Sequence, residues 1–423
     1  MKFAVVTFGC RVNQADSLHI EEQLRRSGGE PAGPEHADLV IVNTCSVTAS
    51  ADQGARQTIR RIARDNPSAK IVATGCYATR RPAELAALAT GVRVVSNSEK
   101  LDFFAGRNSN LEAMTSAERF GGGDGACGAT IEPGMAGRTA FTLRVQTGCE
   151  QSCAYCIIPA TRGRGRSLSM GEVLRKVERI ADAGFKEIAI TGVHLGSYGR
   201  DLDPPGSLLG LLRGLNDLRA DVTFRVSSLE PMDCSREIVD LIASSGGRFA
   251  PHFHLPLQHA SDRMLAVMCR PYTLAYYRRL VEEIGARLPY ASIGSDMIVG
   301  FPGESSEDFA ANLAYLPDSP LTHLHVFPYS DREGTVASRM DAKVDGPTIR
   351  SRGAQLRAVG ATLTRRFHEN QRGSVRPGLT LEDGTLVVTD NYLKVRIPAG
   401  ARRNERVQVR LLSATEGVRV ASL

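Results

Sequence analysis

The sequence predicts an α/β protein in three parts: an N-terminal open parallel α/β sheet domain, a central partial (β/α)6 barrel, and a small C-terminal β-rich module. Three observations predict it. Short apolar runs alternate with helix-like stretches over residues 1–104. The same alternation returns at larger scale over 139–365, and residues 366–423 read as short strands joined by tight turns. The intervening 105–138, with GGGDGACGAT and EPGMAGR, has little periodicity and reads as a linker.

Each part rests on its own runs. In the first, KFAVVTF, ADLVIVN and AKIVATG have the continuous apolar character of buried parallel strands, with helices around 15–27 and 50–65 between them. In the second, FTLRVQ, KEIAITG, VTFRVSS, HFHLPL, SIGSDMIVG and THLHVFP are six strands, most separated by helical stretches such as MGEVLRKVERIADAG. Six units are too few to close an eight-stranded barrel and suit an open one. In the third, LTLEDGTLVVTD, YLKVRIP, RVQVRLL and GVRVASL alternate with turns at Asp-Gly and Ala-Gly.

A chain of 423 residues exceeds what a single core usually serves, so several domains are expected. The opening MKFAVVTFGC runs straight into Arg, Asn, Gln and Asp and reads as a strand, not a signal peptide. No run is long enough to span a membrane, so a cytoplasmic protein is expected. In that compartment the nine cysteines are reduced, which favours metal or redox chemistry over disulfides. Net charge is +6, and the last 58 residues carry ten Lys/Arg against six Asp/Glu. Most of the positive charge therefore sits in the β module, which points to a polyanionic partner.

Three cysteines, Cys149, Cys153 and Cys156, lie in GCEQSCAYC with the spacing C-x3-C-x2-C. Three thiolates on one loop suit three irons of a [4Fe–4S] cube and leave the fourth iron open. A structural zinc site would want a fourth ligand, and none is near in sequence. Cys10, Cys45 and Cys76 are scattered, but each falls just past the carboxyl end of a different expected strand. In an open parallel sheet those ends share one edge, where ligand sites form. The bland alternative is that these are small buried hydrophobes, as free cysteines often are. Cys127, Cys234 and Cys269 show no such pattern.

The C-x3-C-x2-C motif, with Tyr155 before its last cysteine and six βα units after it, resembles the radical S-adenosylmethionine (SAM) enzymes. TFGCRVNQADS, VNTCSVT and GCYA narrow the resemblance to the methylthiotransferase family, over essentially the whole chain. The resemblance implies two [4Fe–4S] clusters. One, on Cys149, Cys153 and Cys156, would bind SAM and cleave it to a 5′-deoxyadenosyl radical. The other, on Cys10, Cys45 and Cys76, would carry a sulfur or methylthio group. It further implies that the C-terminal module is an RNA-binding TRAM domain and that two SAM are used per C–SCH3 bond formed. A low-potential electron donor is an implied partner, and a monomer is expected. Because a radical must reach a buried aromatic C–H, the two clusters are expected to face a common cavity that receives an unstacked adenosine.

By the same resemblance, SAM contacts are expected from Tyr155, from Gly192, Val193 and His194, from Ser228 and Glu230, from Gln258, and from Asp296. These polar residues fall at carboxyl ends of strands, where barrel sites lie. Gln258-His259 departs from the small residues usual after that glutamine, which puts its role in question. His252 and His254 read as hydrogen-bonded barrel residues. Arg162, Arg164 and Arg166 form a basic run that suits either a phosphate backbone or a solvated loop. Arg372, Arg376, Lys394, Arg396, Arg402, Arg403, Arg406 and Arg410 are RNA candidates as a group. HVFPYSDREGTVA and VTDNYLKVRI resemble the branch acting on N6-threonylcarbamoyladenosine beside the tRNA anticodon. The alternatives within the family are N6-isopentenyladenosine in tRNA and an aspartate of a ribosomal protein.

Overall fold

A computed structural model describes residues 1–104, 133 and 139–420. The expected linker and Cys127 lie outside the described residues, apart from Pro133. The chain forms two compact units. The first holds the N-terminal domain with Thr147–Gln151 and Cys156–Arg164. The second holds the barrel and β module with Ser152–Tyr155.

The first unit is built on a five-stranded parallel sheet in the order Glu30–Pro31, Lys2–Thr7, Leu39–Thr44, Lys70–Gly75, Arg93–Val95. Every residue of the central strand is buried, because a parallel sheet is covered on both faces. The two-residue period sorts its side chains. Val40 and Val42 join Ile59 and Ile62 of the helix Ala49–Asp65, whereas Leu39 and Ile41 join Ile20 and Leu24 of the helix Arg11–Arg26. Thr48 caps the former helix, its hydroxyl accepting from Ala51 N at 3.2 Å.

The second unit contains the six expected strands. Phe141–Arg144, Glu187–Thr191 and Thr223–Val226 pair in parallel, as do His252–His254, Ser292–Val299 and His323–Pro328. Phe224 N donates to Arg248 O, and Phe224 O accepts from Ala250 N, both at 2.8 Å. These bonds join the two triplets. MGEVLRKVERIADAG forms the helix Met170–Asp182, started by a Ser169/Glu172 capping box.

A 26-residue helix, Gly346–Gln371, runs through the position where the sequence placed the last domain boundary. Its Gly360 lies against Leu324 of the barrel, and its Phe367 packs on the core of the β module. The module is a five-stranded antiparallel sheet in the order Lys394–Arg396, Leu386–Thr389, Val375–Leu381, Arg406–Leu411, Gly417–Val420. Arg225 ties it to the barrel. Its guanidinium pairs with both oxygens of Glu187 and donates to the carbonyls of Asp390 at 2.8 Å and Thr389 at 3.4 Å. Among the described residues no helix is long and apolar enough to cross a membrane.

Candidate functional site: two cysteine trios

Cys10, Cys45 and Cys76 lie at one edge of the first sheet. Each follows a neighbouring strand of the first sheet, and the glycines before two of them permit the approach. Gly9 has φ +89, and a Cβ there would lie 2.4 Å from Cys45 Sγ. Gly75 has φ +98, and a Cβ there would lie 2.2 Å from Thr44 O. Only glycine fits both the backbone and the space. Asn13 fastens the first two strand ends, its Nδ2 donating to Phe8 O at 2.8 Å and Thr44 O at 3.0 Å.

The electrostatics of the trio agree with this convergence. Burial pushes the Cys45 thiol up to about 11; Cys10 and Cys76 add to the rise, while the Val47 amide and Arg162 oppose it. Cys76 Sγ accepts from Asn97 Nδ2 at 3.7 Å. Three thiols at one sheet edge, with N–H donors at Cys45 and Cys76, are a donor set that suits an iron–sulfur cluster.

Arg162 is neither solvated nor turned toward a phosphate backbone. Its side chain is 3% exposed, and Nη2 donates to Asn13 Oδ1 at 2.5 Å and Asp16 Oδ2 at 3.1 Å. Asp16 also receives Lys100 Nζ at 2.7 Å. Arg164, at 92% side-chain exposure, and Arg166 are the exposed members of that run.

The C-x3-C-x2-C loop contributes Cys149 and Cys156 to the first unit and Cys153 to the second. In the first, Cys149 N donates to Gly163 O at 3.0 Å, and Cys149 Sγ accepts from Gln151 N at 3.4 Å. In the second, Cys153 Sγ accepts from Arg270 Nη1 at 3.1 Å. Arg270 also pairs with Glu230, reaches the Tyr155 hydroxyl at 3.5 Å, and donates to Tyr272 Oη at 3.0 Å. It is 1% exposed on its side chain. The Tyr155 ring stands edge-on to Phe301 at 6.4 Å. Cys149 in the first unit and Cys153 in the second are each a partly exposed thiol with an N–H group aimed at sulfur, surroundings that suit an iron-bound thiolate.

The other expected SAM contacts divide. Glu230 and Tyr155 meet Cys153 through Arg270. The backbone amides of Val193 and His194 both donate to Gln146 Oε1 at 3.0 Å, beside Gly192. The His194 ring lies 2.7 Å from Asp233 Oδ2, an anchor that the sequence did not reveal. Ser228 Oγ contacts His254 Nδ1 at 2.8 Å. The other ring nitrogen of His254 lies 3.0 Å from Asp296 Oδ1, which His325 Nδ1 approaches at 3.2 Å. These three put metal-competent atoms within 4.8 Å of one another, and each imidazole already contacts the same carboxylate oxygen. Gln258 has φ +68, and its backbone bonds to Asp296 O and Ile298 N.

His259, the departure from the family pattern, is fully buried. It contacts Glu304 at 3.2 Å and Asn312 at 3.0 Å and accepts from Ser261 N, so it serves packing. Cys234 is buried and Cys269 exposed. Arg270 and Asn13 are the functional candidates that sequence reasoning missed, and Arg162 reads in the sequence only as one member of a basic run. Single polar residues without periodicity carry no local signal.

Comparison with known proteins completes the picture. Residues 2–97 match the family described as "Uncharacterized protein family UPF0004", and residues 143–316 match the radical SAM superfamily. The chain is 36% identical over 401 residues to a protein of Aquifex aeolicus named threonylcarbamoyladenosine tRNA methylthiotransferase MtaB, covering 94% of this chain and 96% of that one. It is 34% identical to the Bacillus subtilis protein of the same name, covering 92% and 88%. It is 31% identical to tRNA-2-methylthio-N(6)-dimethylallyladenosine synthase of Natranaerobius thermophilus, covering 89% and 84%. Among solved structures, the radical SAM methyltransferase TsrM of Kitasatospora setae shares the fold, with a TM-score of 0.55 at 17% identity over 80% of this chain and 76% of that one.

Proposed function

The chain belongs to the radical SAM methylthiotransferases, and on that premise we propose that it converts N6-threonylcarbamoyladenosine beside the tRNA anticodon to its 2-methylthio derivative. The similarity over most of the chain to relatives named threonylcarbamoyladenosine tRNA methylthiotransferase carries the choice of substrate, and the placement of Cys10, Cys45 and Cys76 at one sheet edge supports sulfur insertion. A second trio is what separates sulfur insertion from SAM cleavage alone. Cys149, Cys153 and Cys156 would hold one [4Fe–4S] cluster, and Cys10, Cys45 and Cys76 a second. Bound there, the clusters and SAM supply one-electron cleavage and a sulfur donor, chemistry that no side chain provides.

The chain's own residues orient and insulate. Arg270 fixes Cys153, Tyr155 and Glu230 in one buried group. Gln146 holds the Val193 and His194 amides, so the backbone beside Gly192 keeps one geometry for the SAM amino group. Ser228 and Asp296 fix His254 from both sides of its ring. Such preorganisation makes a radical reaction selective, because misplacement by about 1 Å costs on the order of 10²-fold in rate. A low-potential electron donor and cytoplasmic tRNA complete the reading.

Mass spectrometry of tRNA nucleosides from cells lacking the protein tests the substrate. The expected result is loss of 2-methylthio-N6-threonylcarbamoyladenosine with its isopentenyl counterpart unchanged. The opposite pattern would move the chain to the dimethylallyladenosine branch. Replacing Cys10, Cys45 and Cys76 by alanine is expected to leave reductive SAM cleavage and abolish the methylthio product. Replacing Cys149, Cys153 and Cys156 is expected to abolish both. Iron analysis should find about eight irons in the parent and about half in either triple variant.

A further inference from the structure

His254, Asp296 and His325 come from three neighbouring parallel strands of the second unit: His252–His254, Ser292–Val299 and His323–Pro328. Asp296 stands opposite His325, and His254 stands opposite Gly294, two positions before Asp296. The two-residue period therefore puts all three side chains on one face of the sheet. Leu324 takes the other face, against Gly360 of the helix Gly346–Gln371.

The donor atoms of this trio are spaced as ligands of one ion. His254 Nε2 lies 3.0 Å from Asp296 Oδ1, and His325 Nδ1 lies 3.2 Å from the same oxygen. Donors bound at about 2.1 Å to one metal stand ~3.0 Å apart at a right angle and ~3.4 Å apart at the tetrahedral angle. His254 Nε2 is buried and, despite its short contact with the carboxylate, has no hydrogen-bond partner. A buried nitrogen in that state is costly, and a bound ion accounts for it. The other nitrogen of the ring, Nδ1, contacts Ser228 Oγ at 2.8 Å. With Nδ1–H donating to that hydroxyl, Nε2 carries a lone pair beside an anionic oxygen, and the two repel unless a cation joins them. A hydrogen-bonded outer partner of this kind is what orients a metal-binding histidine. Gln258 N, donating to Asp296 O at 2.9 Å, holds the backbone of the third ligand.

Two imidazoles and one carboxylate are the donor set of a divalent transition-metal ion, and three protein ligands leave a further position open. The His325 side chain is 54% exposed, which gives an ion a way in. We propose that His254, Asp296 and His325 form a mononuclear site for such an ion, sharing no ligand with either cysteine trio. Asp296 then serves the ion and not SAM. The assignment holds whether or not the cysteines carry clusters.

The test titrates Mn2+ into the full chain, freed of loosely held metal with a chelator and kept anaerobic. Mn2+ is the probe because it suits carboxylate ligands and is not selected by thiolates, so the cysteines do not compete. Electron paramagnetic resonance counts the free ion, whose signal is lost on binding. One bound Mn2+ per chain is expected. Asp296→Asn and His325→Gln should each weaken binding about tenfold or more, and Ser228→Ala, which loosens the His254 ring, by about tenfold. Should Asp296→Asn fail to fold, the half-exposed His325→Gln decides. A parent that leaves excess Mn2+ free would overturn the site. Equal binding by the parent and by His325→Gln would mean an adventitious ion only, held by other carboxylates, and would overturn it as well.

Discussion

His323 shows how one side chain can carry the pH response of the barrel. It lies over Gly294, where an added Cβ would sit 2.1 Å from its Nε2. Burial, then the neighbouring His325 and His254, push its imidazole from 6.5 down to about 4, against the pull of Asp296. The folded protein thus keeps His323 neutral at a pH where the unfolded chain takes up a proton. The unfolded state binds more protons below ~6.5, so this contribution to stability is full above that pH and is lost as pH falls toward about 4. Urea unfolding between about pH 7 and pH 5 should show a steeper loss in the parent than in His323→Gln; equal slopes would assign the pH response to other groups. Gly75 makes a second prediction at this scale. Gly75→Ala forces a Cβ toward Thr44 O at φ +98, which should cost at least ~1–2 kcal/mol and lower the iron held by the second trio. Unfolding midpoints together with iron counts on the reconstituted variant would check both effects.

The turn Thr389–Tyr392 is the element that fastens the β module to the barrel, and it lies in the stretch whose family resemblance the sequence displayed. Arg225 grips two of its carbonyls and lies 4.9 Å from the centre of the Tyr392 ring, while Asn391 donates to Tyr290 O at 2.8 Å. Arg225 is 1% exposed, so Arg225→Met would leave Glu187 without its buried counter-charge, a loss of ~3–5 kcal/mol. Pairing it with Glu187→Leu should return most of that. Denaturant unfolding measures both, and a loss below ~1 kcal/mol for the single variant would show that the turn holds by other means. Elements of this kind mark how far the sequence could be read. All six barrel strands and the strands ending at Cys10, Cys45 and Cys76 were legible, because apolar runs stopped by Gly-Cys or polar turns are local signals. The arginine beside the second trio was not. Its partners Asn13 and Asp16 lie 149 and 146 positions upstream, and Arg162 looked like its exposed neighbours Arg164 and Arg166. The Gly346–Gln371 helix was hidden for a different reason. It serves two cores, through Gly360 and Phe367, so no shift in composition marks where one ends.

At the scale of the whole molecule, the surplus of positive charge is concentrated in the β module, where a polyanion would be drawn. Of the net +6, the last 58 residues supply four charges, ten basic against six acidic. The fold sorts them. Arg376 is spent on Asp390 in a two-pronged pair at 3.0 and 2.5 Å, Arg406 on Asp221, and Arg403 on the Thr139 hydroxyl. Lys394, Arg396 and Arg410 alternate with the buried Val395, Ile397, Val409 and Leu411, so the sheet turns them to solvent. If these three meet phosphates, each contributes about 0.7–0.9 to the slope of log affinity against log salt. Replacing all three by glutamine should therefore flatten that slope by ~2–3 in titrations of tRNA binding with increasing KCl, while reductive SAM cleavage without tRNA stays at the parent rate. Arg376→Gln supplies the contrast, since its charge is neutralised by Asp390. It should lower the stability of the module and leave the slope unchanged. An unaltered slope in the triple variant would place the phosphate contacts outside this sheet and leave its basic face as a solvated surface.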